Sequence, residues 1–104
     1  MIQSILSIIR QATERGCRAV ILVPATAYQE SLNALTCVYP GNTGRTAVMP
    51  CGKLLTIVIP GTPIGEIPAP FHLYLYGWGQ ATPAEEKLVP SWMSKASSVY
   101  TEIS

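Results

Sequence analysis

The chain is poor in charge and contains no aspartate. Only 12% of its 104 residues are charged, and all six acidic residues are glutamates, whereas roughly 25% of an ordinary soluble domain is charged. The absence of aspartate disfavours a catalytic Mg²⁺ site and a Ser-His-Asp triad. Because 48% of the residues are apolar, we expect an exposed apolar patch, and hence an oligomer or a subunit rather than a free monomer.

Basic runs and paired-cysteine motifs are also missing. The seven Lys and Arg residues are spread along the chain and the net charge is +1, so no segment would attract a nucleic-acid backbone by charge alone. Cys17, Cys37 and Cys51 form no CxxC motif, which disfavours a zinc ribbon or a redox dithiol. We therefore expect free thiols in a reducing cytoplasm and no metal site.

No apolar run approaches the ~18 residues of a membrane-spanning helix. The first residues have no basic segment of the kind that opens an export signal. The length allows one domain. The sequence therefore predicts a single soluble, cytoplasmic domain over residues 1–104, with no membrane partner and no cofactor.

The first forty residues have the pattern of helix, strand and helix. Apolar residues at helical spacing over 2–15 predict a helix that Gly16 ends in a left-handed conformation. The uninterrupted apolar run 19–23 predicts a strand that is covered on both faces. Thr26 and Gln29 have the spacing of a capping box, so a second helix is expected to begin at Thr26.

The middle of the chain has strand patterns. Residues 46–49 and 54–59 predict a β-hairpin, and the proline-rich segment 60–70 predicts a loop. Residues 71–76 alternate, which indicates a strand with different side chains on its two faces. Together these patterns predict an α/β fold: a small mixed sheet with a β-hairpin, a central strand at 19–23, and flanking helices.

The C-terminal part predicts two helical pieces. Thr82 and Glu85 fit a capping box with Pro83 at the first helical position. Pro90 is expected to interrupt this helix. A second piece is predicted from residues that recur at helical spacing: Trp92, Ala96, Val99 and Ile103.

The stretch PGNTGRT at residues 40–46 looks like a shortened phosphate-binding loop. A Walker A loop requires four residues between its glycines followed by Lys, and it connects a strand to a helix. Here two residues separate the glycines, Arg45 replaces Lys, and the stretch follows a helix and precedes a strand. We therefore predict a turn, and we expect no nucleotide affinity.

An aromatic surface is the best candidate for a functional site. One face of the 71–76 strand carries a histidine and two tyrosines, and the C-terminal helix is predicted to present further apolar side chains. Such residues are favoured at interfaces because they bring a large apolar area with few rotatable bonds. The predicted interaction surface consists of His72, Tyr74, Tyr76, Trp78, Trp92 and Val99.

Part of the chain resembles the ATPase core of helicases and viral large terminases. Residues 18–26, RAVILVPAT, lead into a helix with Gln29 and resemble motif Ia, in which a basic or small residue precedes an apolar strand, Pro-Thr and a helix. The order of hairpin, Gly- and Pro-rich segment and apolar strand over 46–76 is similar to terminases, so the resemblance covers residues 2–80. It implies this architecture and a viral or mobile-element origin. Walker A is missing, and Gly77-Trp78 replaces the Walker B acidic pair, so it implies no ATPase activity.

Three functional hypotheses follow. The first is a non-enzymatic interaction or assembly protein that associates with itself or with a protein partner through the aromatic surface. The second is an accessory protein of nucleic-acid processing with a degenerate helicase or terminase core. The third is a small enzyme that uses His72 with a cysteine, although a lone histidine in an alternating strand is more often a packing residue.

Overall fold

The computed structural model describes residues 4–101, and within them it contains three α-helices and one five-stranded mixed sheet. The helices are α1 (Ile5–Arg15), α2 (Ala25–Val38) and α3 (Pro83–Lys95). The strands are β1 (Ala19–Leu22), β2 (Thr46–Val48), β3 (Leu54–Val58), β4 (His72–Leu75) and β5 (Ser98–Thr101). The predicted small α/β fold with a hairpin and flanking helices is confirmed.

The sheet has the order β2-β3-β1-β4-β5. Strand β1 lies in the centre and runs parallel to β3 on one side and to β4 on the other. Strand β5 is parallel to β4, and β2 is the single antiparallel strand, paired with β3. Helix α2 lies in the connection from β1 towards β3, and α3 connects β4 to β5, so the two crossovers leave the centre in opposite directions.

Two apolar clusters cover the two faces of the sheet. Ala19 and Ile21 of β1 pack with residues of α1 and α2 on one face. Val20 and Leu22 pack on the other face with α3 and the 60–70 segment, where Trp92 is the largest buried side chain. All four β1 side chains are completely buried, which confirms the prediction of a central strand covered on both faces.

Several local predictions are confirmed. Helix α1 ends at Gly16, which has φ +69°. Strands β2 and β3 form the predicted hairpin, closed by a turn in which the Gly52 N–H donates to the Met49 carbonyl. The 60–70 segment holds only a short 3-10 turn at Ile64–Glu66. Helix α1 begins at Ile5, later than predicted, because Ser4 is extended and its hydroxyl caps the helix by accepting from the Ser7 N–H. Ile2 lies outside the described residues.

The predicted capping box of the second helix is wrong. Helix α2 begins at Ala25, directly after Pro24, and no side chain of its own first turn caps it. The Gln29 amide instead donates to Asn33 one turn further along. The carboxylate that accepts from the Ala25 N–H belongs to Glu85, sixty residues away.

The predicted division of the C-terminal helix is also wrong. Helix α3 begins with the predicted Thr82–Glu85 capping box, but it continues through Pro90 to Lys95. The turn beyond the proline is held by Trp92, whose ring packs edge-on against Phe71 and whose indole N–H donates to the Pro60 carbonyl.

The chain after Ala96 is a strand, not a helix. Residues 98–101 form β5, and the Ser97 N–H donates to the Phe71 carbonyl where the pairing with β4 begins. Trp92, Ala96 and Val99 nevertheless contact the same apolar cluster, so their spacing reflects a shared core rather than one helical face. Ile103 lies outside the described residues.

Candidate functional site

The strand order predicts a ligand site at the carboxyl ends of β1 and β4. In open α/β sheets, ligands bind in the crevice where neighbouring strands send their connections in opposite directions. Here the chain leaves β1 through α2 towards β3 and leaves β4 through α3 towards β5. The crevice between the ends of β1 and β4 is therefore the expected position of a ligand site in this fold.

This crevice is filled by the chain itself. The Leu22 carbonyl at the end of β1 accepts hydrogen bonds from the Tyr76 N–H at 3.2 Å and from the Trp78 indole N–H at 3.0 Å. Gly77, with φ +79°, lies against α2 so closely that an added Cβ would stand 3.0 Å from the Cβ of Ala27. The indole and the glycine leave little room for a ligand between these strand ends.

The N-terminus of α2 is occupied as well. Backbone N–H groups at a helix start bind anions, and here the Glu85 carboxylate accepts from the Ala25 N–H at 2.8 Å. The same carboxylate accepts from the Thr82 N–H at 3.0 Å. These bonds, from Thr82 first and then Ala25, lower the pKa of Glu85 below its ordinary value. A side chain of the protein thus takes the place that a phosphate would take.

The PGNTGRT stretch is a turn, as predicted. It connects α2 to β2, and the Thr43 N–H donates to the Thr46 carbonyl at 2.9 Å. The Asn42 amide donates to the Tyr39 carbonyl at 2.9 Å. No helix follows this turn, so it lacks the helix N-terminus that a phosphate loop uses. The absence of nucleotide affinity stays a prediction.

The six residues of the predicted interaction surface do not lie on one surface. His72, Tyr74 and Tyr76 share the face of the sheet that α1 and α2 cover, and Tyr74 is only 2% exposed. Trp92 is 0% exposed in the opposite cluster, where Val99 packs beside it. Trp92 therefore cannot contact a partner in this fold, because it is the main core residue of α3.

Two residues that sequence reasoning missed complete the aromatic cluster on β4. The Tyr100 ring of β5 stacks on Tyr74 with centroids 4.8 Å apart, and its hydroxyl lies 3.3 Å from His72 Nδ1. The Arg15 guanidinium lies 4.1 Å from the Tyr100 ring centroid and donates to the Tyr74 hydroxyl at 3.1 Å. This hydrogen bond raises the pKa of Arg15, and burial raises the pKa of the Tyr74 phenol.

These ring faces are already engaged within the chain. A platform for single-stranded nucleic acid needs exposed aromatic faces on which bases can stack. Tyr74 is buried, and the faces of Tyr100 are partly covered by Tyr74 and by Arg15. The cluster therefore resembles a packing arrangement that joins α1 to β4 and β5 more than an open stacking platform.

Within residues 4–101, the exposed large apolar side chains lie mainly on the β2–β3 hairpin and on α3, where Met93 is 41% exposed. Val48 is 63% exposed and Leu54 is 40% exposed, and the two are directly opposite each other in the ladder. Their neighbours Ala47 and Leu55 are buried under the helices, so Val48 and Leu54 point to the other face. Leu88, at 44% exposure, lies on α3.

One cavity brings the lone histidine and a cysteine together. A space of about 180 Å³ lies at the amino ends of the parallel strands, and its walls include Cys17 and His72. Cys37 and Cys51 are exposed elsewhere, and all three thiols are free. Within residues 4–101, no group of three or more His, Cys, Asp or Glu side chains is arranged to hold a metal ion.

No protein-family model, curated protein or solved structure matches the chain. None of the helices within residues 4–101 has the length and apolar character that a membrane-spanning helix requires.

Proposed function

We propose that the protein is a non-enzymatic assembly protein that associates with a second copy of itself through the outer edge of β2. The observation that carries the proposal is the exposure of Val48, which exceeds that of any other large apolar residue within 4–101, on a strand at the end of the sheet. An exposed apolar side chain on an unpaired strand edge is a typical site for pairing with another chain.

The main-chain groups of β2 support pairing along this edge. The Met49 N–H donates to the Lys53 carbonyl, and the Ile57 N–H donates to the Arg45 carbonyl. The main-chain groups of the odd-numbered residues along this ladder therefore point towards β3. The alternation of an antiparallel ladder turns the N–H and C=O groups of Val48 away from β3. A twofold axis beside Val48 would let the two copies exchange both hydrogen bonds between their Val48 residues.

The side chains suit a second copy better than an arbitrary partner. Strand β2, Thr46-Ala47-Val48, contains no charged residue, so two copies bring no like charges together at the seam. The twofold arrangement would place Leu54 and Val48 of one copy in a row with Val48 and Leu54 of the other. Cross-strand apolar pairs of this kind contribute roughly 0.2–1 kcal/mol each.

The edge is short, so the dimer should be weak. Thr46, the other residue whose main chain faces outward, already accepts at its carbonyl from the Thr43 N–H and hydroxyl. Interfaces that bury less than about 1,200 Å² in total are usually weak and transient. We therefore expect a dissociation constant in the micromolar range or higher.

The test is sedimentation equilibrium over a wide concentration range for the full chain and for Val48→Lys. An edge lysine interferes with strand pairing, so this variant should remain monomeric where the parent dimerises. Leu88→Lys is the matched control, because it replaces a similarly exposed apolar residue on α3 and should leave the dimer intact.

Two results would overturn the proposal. One is a parent protein that stays monomeric up to millimolar concentration. The other is dissociation by Leu88→Lys with no effect of Val48→Lys, which would place the contact on α3. Circular dichroism of both variants establishes that neither change acts by unfolding the chain.

The resemblance to helicase and terminase cores stays a hypothesis. The order α1-β1-α2 is compatible with it, but this order is also the ordinary one in α/β proteins. It therefore carries no argument for a role in nucleic-acid processing.

A further inference from the structure

The cavity at the amino ends of the strands has a composition that the assembly role does not explain. It lies where β1, β3, β4 and β5 begin, on the opposite edge of the sheet from the filled crevice. Its volume is about 180 Å³, and its walls are formed by Cys17, Arg18, Lys53, Pro70, Phe71, His72 and Ser97.

The walls are basic and contain no carboxylate. Arg18, Lys53 and His72 approach from the starts of three different strands. The carboxylate of Glu66 lines an adjoining cavity that Arg18 also borders, but it is bonded to Arg45 at 2.8 Å. The positive charges of Arg18 and Lys53 are therefore not neutralised by an ion pair within residues 4–101.

Two of these side chains retain donors without an acceptor. The Arg18 guanidinium is held in place because Nη1 donates to the Pro68 carbonyl at 3.2 Å. Its Nε is also without an acceptor among the described residues, but this atom is enclosed by protein, so a ligand in the cavity would contact the Nη groups instead. The side chain of Lys53 makes no hydrogen bond or ion pair with the described part of the chain.

We propose that this cavity binds the phosphate group of a small ligand. A guanidinium presents its donors in a fork that matches tetrahedral oxyanions, and an ammonium adds a second charge. The volume is well below the ~300–1,000 Å³ of pockets for drug-sized ligands, so it accommodates an anionic group with a small body. Pro70 and Phe71 supply an apolar wall for that body.

The experiment is a titration of the full chain with inorganic phosphate and, separately, with phenyl phosphate at constant ionic strength, with chloride as the compensating anion. The His72 imidazole resonances report occupancy, because this is the single histidine of the chain. Saturable shifts at millimolar phosphate are expected. Tighter binding of phenyl phosphate would indicate that the apolar wall contacts the organic part of the ligand. Equal binding of the two would indicate a site for free phosphate.

Variants identify the site. Lys53→Gln should weaken phosphate binding about fivefold or more, the ratio that ~1 kcal/mol represents. Lys87→Gln on α3 removes the same charge outside the cavity and should have no effect. Arg18→Gln should weaken binding further, and Lys53→Gln still decides the question if loss of the contact to Pro68 unfolds that variant.

The proposal fails if the imidazole shifts do not saturate, or if chloride at equal ionic strength reproduces them. It also fails if Lys53→Gln and Lys87→Gln weaken binding equally, which would indicate attraction by net charge alone. The dimer test at Val48 is independent of these outcomes, because Val48 does not line the cavity.

Discussion

Replacement of Gly77 by alanine tests whether the crevice between β1 and β4 is closed by direct packing. Gly77 has φ +79°, and a Cβ there would stand 3.0 Å from the Cβ of Ala27 and 3.5 Å from Cδ of Pro24. Ala27 is buried in the first turn of α2, so neither neighbour is the flexible end of a long side chain. The added methyl group should therefore strain the junction of β4 with α2.

The magnitude follows from a comparison with Gly52. That residue has φ +88°, and no atom lies within 4 Å of the position of its Cβ. Gly52→Ala should thus cost only the left-handed backbone conformation, about 1–2 kcal/mol. Gly77→Ala should carry the same cost plus about 1–3 kcal/mol for overpacking. Each Gly→Ala change also lowers the conformational entropy of the unfolded chain, which stabilises the fold by a similar amount in both variants. This contribution therefore cancels when the two variants are compared.

Urea denaturation of the two variants measures the difference, provided that the m-values stay equal. Ala27→Gly supplies a further check, because it removes the methyl group that the new Cβ would meet. In that background, Gly77→Ala should cost no more than Gly52→Ala does. Equal costs for Gly77→Ala and Gly52→Ala in the parent chain would refute the reasoning and would mean that the crevice has spare room.

Three further predictions concern α3. Thr82→Ala should cost about 1 kcal/mol, because Thr82 Oγ1 accepts from the Glu85 N–H at the helix start; an unchanged urea midpoint would contradict this. Trp92→Ala should cost about 3–5 kcal/mol because the side chain is completely buried, and a loss below 1 kcal/mol would be incompatible with that burial. The pKa of Glu85 is lowered in the folded protein, so its charge stabilises the fold fully above the unfolded value of about 4.3 and loses this effect as the pH falls through the folded pKa. The stability difference between the parent and Glu85→Gln should therefore shrink in acid, and a difference independent of pH between 3 and 7 would exclude this linkage.

The local patterns of the sequence predicted most of the fold. The central strand at 19–23 was recognisable because an uninterrupted run of apolar, mostly β-branched residues is typical of strands buried on both faces. The hairpin, the left-handed end of α1 at Gly16 and the Thr82–Glu85 capping box all depend on interactions within a few residues. Interactions of such short range can be recognised in the sequence without the tertiary structure.

The errors occurred where distant contacts override local pattern. Pro90 does not end α3, because the burial of Trp92 holds the next turn. Residues 98–101 become a strand because β4 offers an unpaired edge, which no local spacing reveals. The valine, tyrosine and threonine of that segment were the available signal, since β-branched and aromatic residues favour strands.

The candidate sites depend on such contacts even more strongly. Arg15 reaches Tyr100 across 85 positions of the chain, and Glu85 caps a helix that begins at Ala25. The cavity with Arg18 and Lys53 arises because parallel strands begin at the same edge of the sheet. The sequence showed isolated basic residues without a run, and only the strand order brings them together.

The two ends of the parallel strands differ in whether their polar groups are already bonded within the chain. At the carboxyl ends of the strands, where α/β folds usually bind ligands, the Trp78 indole and the Glu85 carboxylate occupy the groups that a ligand would use. The two proposals rest instead on the outer edge of β2 and on the basic cavity at the amino ends. Because the β2 edge and the cavity involve different residues, the proposed assembly and the proposed phosphate binding can be tested separately. Val48→Lys should remove the first and leave the second, and Lys53→Gln should weaken the second and leave the first.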